Sequence, residues 1–247
     1  MDFDRSADDY SRRVEGAVSF AGRKHGFFLD AKVALLEKTI ERHFGPSHEP
    51  SVLDLGCGVG EIGRRLDRSG RRMLGVDVAW GPLRRARQVL PARPFVRFDG
   101  YRLPFRADGF DLVLAVCVVH HVPPRERPGF FAEMARVVRP GGLAVVFEHN
   151  PLNPLTRYAV SRCELDRDAV LLGAREVRKL LAGAGLSIGE QGNLLFFPWA
   201  AGPWGWLERK LRAVPLGAQY FVAAEKPDGL PSRRGQTPAG DCPAPRP

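Results

Sequence analysis

Residues 51–63 read SVLDLGCGVGEIG, a short apolar run with one aspartate that leads into four glycines, Gly56, Gly58, Gly60 and Gly63. Glycine adopts positive φ without strain and lets a ligand approach the backbone more closely than a Cβ atom would allow. A helix that follows such a turn offers unpaired N–H groups to the ligand. The stretch therefore predicts the first strand, turn and helix of an open α/β sheet, with a ligand site beyond the end of the strand.

Apolar runs and helix-like segments alternate along the rest of the chain. The run LVLAVCVV, within residues 110–119, is typical of a strand buried on both faces of a parallel sheet. Apolar residues at helical spacing predict a helix from Asp30 to His43. The alternation predicts an α/β fold: a doubly wound, Rossmann-like and mostly parallel sheet of seven strands, with helices on both faces and an antiparallel last strand. The predicted strands are residues 51–55, 72–76, 95–98, 110–119, 143–148, 186–191 and 219–225.

Length, termini and cysteines limit the class of protein. The 247 residues suffice for one well-buried domain. The first residues, MDFDRSADDYSRRVEG, lack the apolar centre of a secretory signal, and no stretch reaches the ~20 apolar residues of a membrane helix. We therefore expect a cytoplasmic protein. The four cysteines are scattered without a CxxC pair, so we expect neither a metal site nor a disulfide framework.

The net charge of +9 has two interpretations. A strongly basic protein can bind nucleic acid. However, arginines outnumber lysines 31 to 6 and lie throughout the chain, with only short clusters such as Arg64-Arg65. This distribution favours a solvated basic surface over a nucleic-acid partner.

Two classes of ligand use a glycine-rich first turn. Residues 58–63 fit the GxGxxG pattern of dinucleotide sites, which would indicate a nicotinamide-dependent oxidoreductase. Asp54 separates the two classes, because it lies inside the apolar strand two residues before Gly56. A pyrophosphate gains nothing from a neighbouring carboxylate, whereas a sulfonium cofactor that carries an ammonium group is attracted to it.

The segment Asp54-Leu-Gly56-Cys-Gly58-Val-Gly60 resembles the first motif of the class I S-adenosylmethionine-dependent methyltransferases, in particular the ubiquinone and phosphoethanolamine methyltransferase group. Further motifs follow in the family's order, clearly over residues 51–148 and more weakly up to Glu225. The resemblance implies S-adenosylmethionine (SAM) as the cofactor. It also implies that the aspartate and the three glycines of this motif surround that cofactor.

The resemblance assigns further positions to the cofactor. Asp77, in GVDVAW, would accept hydrogen bonds from both ribose hydroxyls, and Val78 would lie against the adenine. FDGYRLPF resembles the stretch after the family's third strand, which implies that Asp99 accepts the adenine amino group and that Gly100 lies near the ring. Cys117, near the end of the fourth strand, is expected beside the cofactor as a small buried residue and not as a nucleophile.

Three side chains are candidates for catalysis. Methyl transfer from a sulfonium requires alignment and exclusion of water, and a general base helps when the acceptor is a hydroxyl or a protonated amine. His121 resembles in position a histidine that phosphoethanolamine methyltransferases use together with an N-terminal tyrosine, for which Tyr10 is the candidate here. His120 and His121 should point to opposite faces if the strand continues through them. His149, after the fifth strand, could line the acceptor site.

The sequence suggests four segments. Residues 1–45 form a helical lid, residues 46–226 the methyltransferase domain, and residues 227–247, with six prolines and three glycines, a disordered tail. Residues 194–212 contain three of the four tryptophans and predict an apolar flap that could touch a membrane surface. This segment motivates the hypothesis of an apolar or lipid-linked acceptor.

The sequence therefore favours a small-molecule methyltransferase. A nucleic-acid (RNA) methyltransferase is the alternative that the charge suggests, although the exit of the fourth strand reads VVHHVPP and not an Asn-Pro-Pro-Tyr-type signature. A nicotinamide-dependent enzyme is disfavoured by Asp54. A cofactor-binding domain without chemistry stays open, because the reaction demands no indispensable catalytic residue.

Overall fold

The computed structural model describes residues 16, 25–66, 72–196 and 210–229. Its centre is a seven-stranded sheet with the strand order β3-β2-β1-β4-β5-β7-β6. The strands are β1 Val52–Leu55, β2 Met73–Asp77, β3 Phe95–Arg97, β4 Phe110–Val116, β5 Val138–His149, β6 Ser187–Leu194 and β7 Gln219–Glu225.

Six α-helices lie in the described part of the chain. They are α1 His25–Phe44, α2 Glu61–Leu66, α3 Trp80–Val89, α4 Arg127–Val137, α5 Pro154–Arg162 and α6 Ala174–Gly183. Short 3₁₀ turns occupy Val119–His121, Glu164–Asp166 and Leu211–Ala213.

The strand pairing confirms the predicted fold class. Strands β1 to β5 pair in parallel, whereas β7 is antiparallel to both of its neighbours, β5 and β6. The strand order reverses between β1 and β4, which is the point where ligands bind in open α/β sheets. The glycine-rich turn after β1 lies at this point.

Both faces of the sheet are buried, as the apolar run of β4 predicts. Leu112, Val113, Leu114 and Ala115 are all 0% exposed. Alternate residues contribute to the two hydrophobic clusters on opposite faces, because successive strand side chains point in opposite directions.

Helix α1 packs on one of these faces. Its residues Leu36 and Ile40, each 1% exposed, belong to the same cluster as Leu114 and Phe147 of the sheet. In the described residues the helix already includes His25, five residues before the predicted start at Asp30, and the His25 side chain contacts Glu61 of α2 at 2.8 Å. The lid role of residues 1–45 stays a prediction.

The prediction that β4 runs through residue 119 is wrong. The strand ends at Val116, and Cys117 turns the chain with a φ of +55°. His120 and His121 then lie in a 3₁₀ turn, so the alternation expected of a strand does not apply to them. The cause is that the backbone N–H groups after β4 donate hydrogen bonds to the carboxylate of Glu148 in β5.

The loop after β5 also departs from the sequence interpretation. We expect two Asn-Pro pairs to hold residues 149–156 extended, but the second pair begins helix α5. Asn153 caps this helix, since its side-chain oxygen accepts a hydrogen bond from the Thr156 backbone N–H at 3.0 Å. Pro154 takes the first helical position, where the missing N–H costs nothing.

Two predicted segments are described only at their edges. The structure describes residues 194–196 and 210–212 of the predicted flap, so its three tryptophans lie outside the described residues. The predicted tail is described only through residue 229. Among the helices that the structure describes, none combines the length and apolar character needed to cross a bilayer.

Replacing Leu36 with alanine tests whether α1 belongs to the cooperative core. Because Leu36 is 1% exposed, the substitution leaves a cavity, and we expect the free energy of unfolding to fall by about 2–5 kcal/mol in urea denaturation. Lys38→Ala, at an exposed position of the same helix, is the control and should change this energy by less than about 0.5 kcal/mol. Equally small effects of both substitutions would contradict the packing of α1.

Candidate functional site

A cavity of about 640 Å³ lies at the carboxyl ends of the parallel strands. Its walls come from the turn after β1, the ends of β2, β4 and β5, the start of β7, and helices α1 and α5. This volume is in the range of small-molecule sites. The position agrees with the site that the glycine-rich stretch predicts.

The glycines of the first turn have different roles. Gly56, Gly58 and Gly60 have φ values of +78°, +54° and +80°, which side chains other than glycine rarely adopt. A Cβ atom on Gly56 would lie 2.5 Å from Val118, so this glycine is required by packing. A Cβ atom on Gly58 would meet nothing within 4 Å, and Gly58 lines the cavity. Gly58 therefore leaves room for a ligand against the backbone.

Two carboxylates face the cavity at this turn. Asp77, at the end of β2, accepts hydrogen bonds from the backbone N–H groups of Gly58 at 2.9 Å and Ala79 at 3.0 Å. Asp54 in β1 is 3% exposed, and its burial together with the charge of Asp77 raises the pKa of its carboxyl to about 7. A cation placed between these groups would favour the ionised form of Asp54.

Only two of the three residues predicted to contact adenine line the cavity. Val78 and Gly100 line the cavity, and Val78 is 43% exposed. Asp99 is exposed, and its Oδ1 accepts the backbone N–H groups of Tyr101 and Arg102, both at 2.8 Å. These hydrogen bonds lower the pKa of Asp99. Asp99 is not among the described residues that line the cavity, so its contact with adenine stays a prediction.

His120 is held between two carboxylates at the exit of β4. Its Nδ1 lies 2.6 Å from Glu148 and its Nε2 3.3 Å from Asp166, with the ring 1% exposed. Burial opposes the charged form, but the two carboxylates outweigh it and raise the pKa of His120 to about 10. Both ring nitrogens then donate hydrogen bonds, so His120 has no lone pair for an acceptor proton or for a metal ion.

His121 has the opposite environment. Burial and the neighbouring positive charge of His120 lower the pKa of His121 to about 4. The ring is therefore neutral at pH 7, and it lines the cavity with Nε2 3.5 Å from Asp166. Of the two adjacent histidines, His121 is the one that is neutral at pH 7, and its role as a base stays a prediction.

His149 and Cys117 lie together deeper in the cavity. The Gln219 side-chain nitrogen is 3.3 Å from Nδ1 of His149 and 3.6 Å from Sγ of Cys117. Burial raises the pKa of the Cys117 thiol, but the charges of Lys32 and His149 outweigh this and bring the pKa down to about 7. Cys117 thus lines the cavity with a thiol more acidic than that of a buried packing residue, and its contact with the cofactor stays a prediction.

Some site residues are missing from the sequence analysis, and one predicted residue cannot be placed. Tyr10 lies outside the described residues. Glu148 and Asp166, which set the charges of the two histidines, are not predicted. Glu148 carried a signal, because it is an acid inside an apolar strand, as Asp54 is. Asp166 follows no recognisable motif.

The comparisons with known proteins agree with this geometry. Residues 53–146 match a family model described as a methyltransferase domain. A SAM-dependent methyltransferase from Thermotoga maritima has the same fold, with a TM-score of 0.64 and 19% identity over 91% of this chain and 98% of that chain. Residues 53–146 of this chain are therefore similar to a methyltransferase domain, and the described sheet has the fold of the class I SAM-dependent methyltransferases.

Two curated relatives are similar in sequence. The ubiquinone biosynthesis O-methyltransferase of Methylobacterium nodulans is 27% identical over 221 residues, which cover 81% of this chain and 85% of that protein. The 2-methyl-6-phytyl-1,4-hydroquinone methyltransferase of Synechocystis is 34% identical over 104 residues, which cover 40% of this chain and 32% of that protein. In the relatives matched at 42% identity, this chain spans only 38% of their length.

Replacing Asp54 with asparagine tests the charge at the glycine turn. Because the folded-state pKa of Asp54 is raised to about 7, its ionisation destabilises the ligand-free protein progressively from the ordinary aspartate range up to pH 7, and fully above it. We expect Asp54→Asn to raise the thermal unfolding midpoint, more at pH 8 than at pH 5. At pH 8 it should weaken S-adenosylhomocysteine binding by about 1–3 kcal/mol in calorimetry.

Asp228→Asn, at an exposed position, is the matched control and should change neither property. Unchanged ligand affinity in Asp54→Asn, or a lower midpoint at pH 8, would be incompatible with this role of the carboxylate.

Replacing Glu148 with glutamine tests the pairing with His120. Removing one partner of a buried ion pair costs about 3–5 kcal/mol of unfolding free energy. His120 stabilises the fold fully below its ordinary pKa and loses this contribution as the pH rises through about 10. We therefore expect the decline in stability between pH 7 and 10 to become shallower in Glu148→Gln. Urea denaturation across this pH range measures both effects, and exposed Glu225→Gln should show neither.

Proposed function

We propose that this methyltransferase transfers the methyl group of SAM to an apolar or lipid-linked small molecule, with His121 as the general base. The observation that carries the proposal is the chemical difference between the two ends of the cavity. Carboxylates face the cavity at β1 and β2, whereas apolar side chains and neutral imidazole line it at α5 and beyond β4.

The first end suits the cofactor. Asp77 would hold the ribose hydroxyls with its carboxylate, and Val78 and Gly100 would flank the adenine. Asp54 would face the cationic amino acid portion, beside the open backbone at Gly58. When bound, SAM supplies a methyl group on a sulfonium, which is already a good leaving group. The chain's task is then to align the acceptor and exclude water.

The second end suits an apolar acceptor. Helix α5 and its neighbours contribute apolar lining side chains, namely Leu155, Ala159, Val160, Leu165, Leu195 and Phe196. Beside this wall, Leu152, Leu155 and Tyr158 are 64%, 61% and 54% exposed. Clustered exposed apolar residues mark ligand or interaction surfaces. They provide a path along which an apolar tail could extend out of the cavity.

The two relatives support this acceptor class through their names alone, one being an O-methyltransferase of ubiquinone biosynthesis and the other acting on a phytyl hydroquinone. Contact of residues 194–212 with a membrane surface belongs to the same proposal. The three tryptophans that suggest this membrane contact lie outside the described residues.

His121 is the residue best suited to remove a proton from the acceptor. A base must be unprotonated before the reaction, and His121 meets this condition at pH 7, while the same low pKa makes it a weaker proton acceptor than an ordinary histidine. The pKa of His120 is raised to about 10, so that ring holds its proton and serves to position the turn. Nδ1 of His149 accepts a hydrogen bond from the Gln219 side-chain amide, and His149 would line the acceptor site. A partnership of His121 with Tyr10 stays a prediction.

The experiment combines cofactor binding with turnover. Purified protein is titrated with S-adenosylhomocysteine, and formation of S-adenosylhomocysteine from SAM is then followed with 4-octylphenol, octylamine, octanethiol and phenol as candidate acceptors. We expect binding of the cofactor product and turnover of an octyl compound in preference to unsubstituted phenol. No binding of S-adenosylhomocysteine, or turnover that an octyl group does not improve, would contradict the proposal.

His121→Gln separates proton removal from cofactor binding. Glutamine retains hydrogen-bonding groups but cannot accept the proton, so we expect kcat with 4-octylphenol to fall by about 10²–10⁴-fold. The affinity for S-adenosylhomocysteine should stay within about twofold, because a base contacts the acceptor and not the nucleoside. His48→Gln, an exposed histidine elsewhere, is the matched control. Unchanged kcat in His121→Gln would remove His121 as the base.

A further inference from the structure

We infer that Lys32 and Gln219 form a polar subsite in the acceptor half of the cavity, which takes an acidic oxygen (a carboxylate, phenolate or enolate) with a neighbouring hydroxyl. This inference rests on the proposed function and specifies the head group that the apolar acceptor carries. It concerns a side chain from α1 and one from the start of β7, neither of which the cofactor motifs include.

The charge of Lys32 has no carboxylate partner in the described part of the structure. The residue is 4% exposed and lines the cavity, and its Nζ contacts only Sγ of Cys117, at 3.5 Å. It is also the single lysine or arginine among the described lining residues. Burying an ammonium group without an anion is costly, so the partner is expected from the ligand.

Each of the other buried cationic side chains in the described residues has a carboxylate partner. Arg127, 2% exposed, pairs with Glu176 at 2.7 Å. Lys226, 7% exposed, pairs with Asp108 at 2.7 Å and also bonds two backbone carbonyls. His120 lies between two carboxylates. Lys32 is the exception among these residues, and it lines the cavity.

Gln219 provides a second, independent indication of a ligand. It is 6% exposed, and its Oε1 is a buried polar atom without a hydrogen-bond partner in the described residues. Its Nε2 is already directed at Cys117 and His149. A buried carbonyl oxygen without a donor costs free energy, which a ligand O–H would recover. Lys32 and Gln219 lie against the same sulfur atom, so one ligand head group can reach both.

The topology places this subsite away from the nucleoside. Asp77 and Gly100 follow β2 and β3, on one side of β1. Cys117, His149 and Gln219 lie at the ends of β4 and β5 and the start of β7, on the other side. His149 and Gln219 are direct partners in the β5–β7 ladder. The subsite therefore borders the region that the proposed acceptor occupies.

The binding experiment uses protein saturated with S-adenosylhomocysteine and three probes with one tail: 4-octylsalicylate, 4-octylbenzyl alcohol and 4-octylbenzylamine. We expect the salicylate to bind at least about tenfold more tightly than the other two. A hydrogen bond to a charged group changes the affinity by about tenfold or more. Lys32→Met should abolish this preference, whereas Lys32→Arg should retain part of it. Lys38→Met, an exposed lysine of α1, is the matched control.

A second variant and a second readout keep the test independent of the folding of Lys32→Met. Gln219→Leu should weaken 4-octylsalicylate and leave 4-octylbenzylamine unchanged. In ligand-free protein, iodoacetamide labelling of Cys117, followed by peptide mass spectrometry, should titrate near pH 7 in the wild type and at higher pH in Lys32→Met. An unshifted Cys117 titration would show that Lys32 carries no charge at this point and would overturn the inference.

The results separate the two proposals. If the wild-type protein does not bind S-adenosylhomocysteine, the proposed function is refuted. Intact S-adenosylhomocysteine binding with equal affinity for the three heads, with preference for the amine, or with no probe bound, would refute the acidic subsite alone.

Discussion

The buried carboxylate of Glu148 accepts backbone N–H groups of Val118, Val119 and His120 with Oε1, and it pairs with the His120 ring through Oε2. These bonds join the end of β5 to the exit of β4, and they hold that exit in a 3₁₀ turn instead of a strand. Glu148 is 0% exposed, so its charge requires every one of these partners. The wall of the cavity depends on this cluster.

The same turn connects the two halves of the site. Val118 packs where Gly56 lacks a Cβ atom, so the exit of β4 rests directly on the glycine turn of β1. Beyond it, the two adjacent histidines acquire different protonation states from one source of charge. His120 is kept cationic by its carboxylates, and its charge in turn keeps His121 neutral. The charge of His120 therefore contributes to a neutral imidazole at His121 in the wall of the cavity.

Charge is distributed unevenly along the cavity. Asp54 and Asp77 are held close together in the cofactor half, at a cost visible in the raised pKa of Asp54. Among the described residues, Lys32 in the other half has no carboxylate partner and contacts only the sulfur of Cys117. Each arrangement is unfavourable in the ligand-free protein and would be relieved by a ligand of opposite charge. A cationic donor and an anionic acceptor would therefore each favour its own end, which orients the two ligands before reaction.

The sequence determined the elements that local pattern and spacing control. The glycines after β1, the doubly buried β4 and the bounds of β7 follow from residues close together in the chain, because φ preference and hydrophobic periodicity act locally. The order of motifs also indicated Asp54, Asp77 and the cofactor. The tertiary structure alone decided the end of β4, the protonation of the histidines and the unpaired charge of Lys32. These depend on contacts of Glu148, Asp166 and Lys32 with partners 28 or more residues away in the chain, and a charge acts through distance in space and not along the sequence.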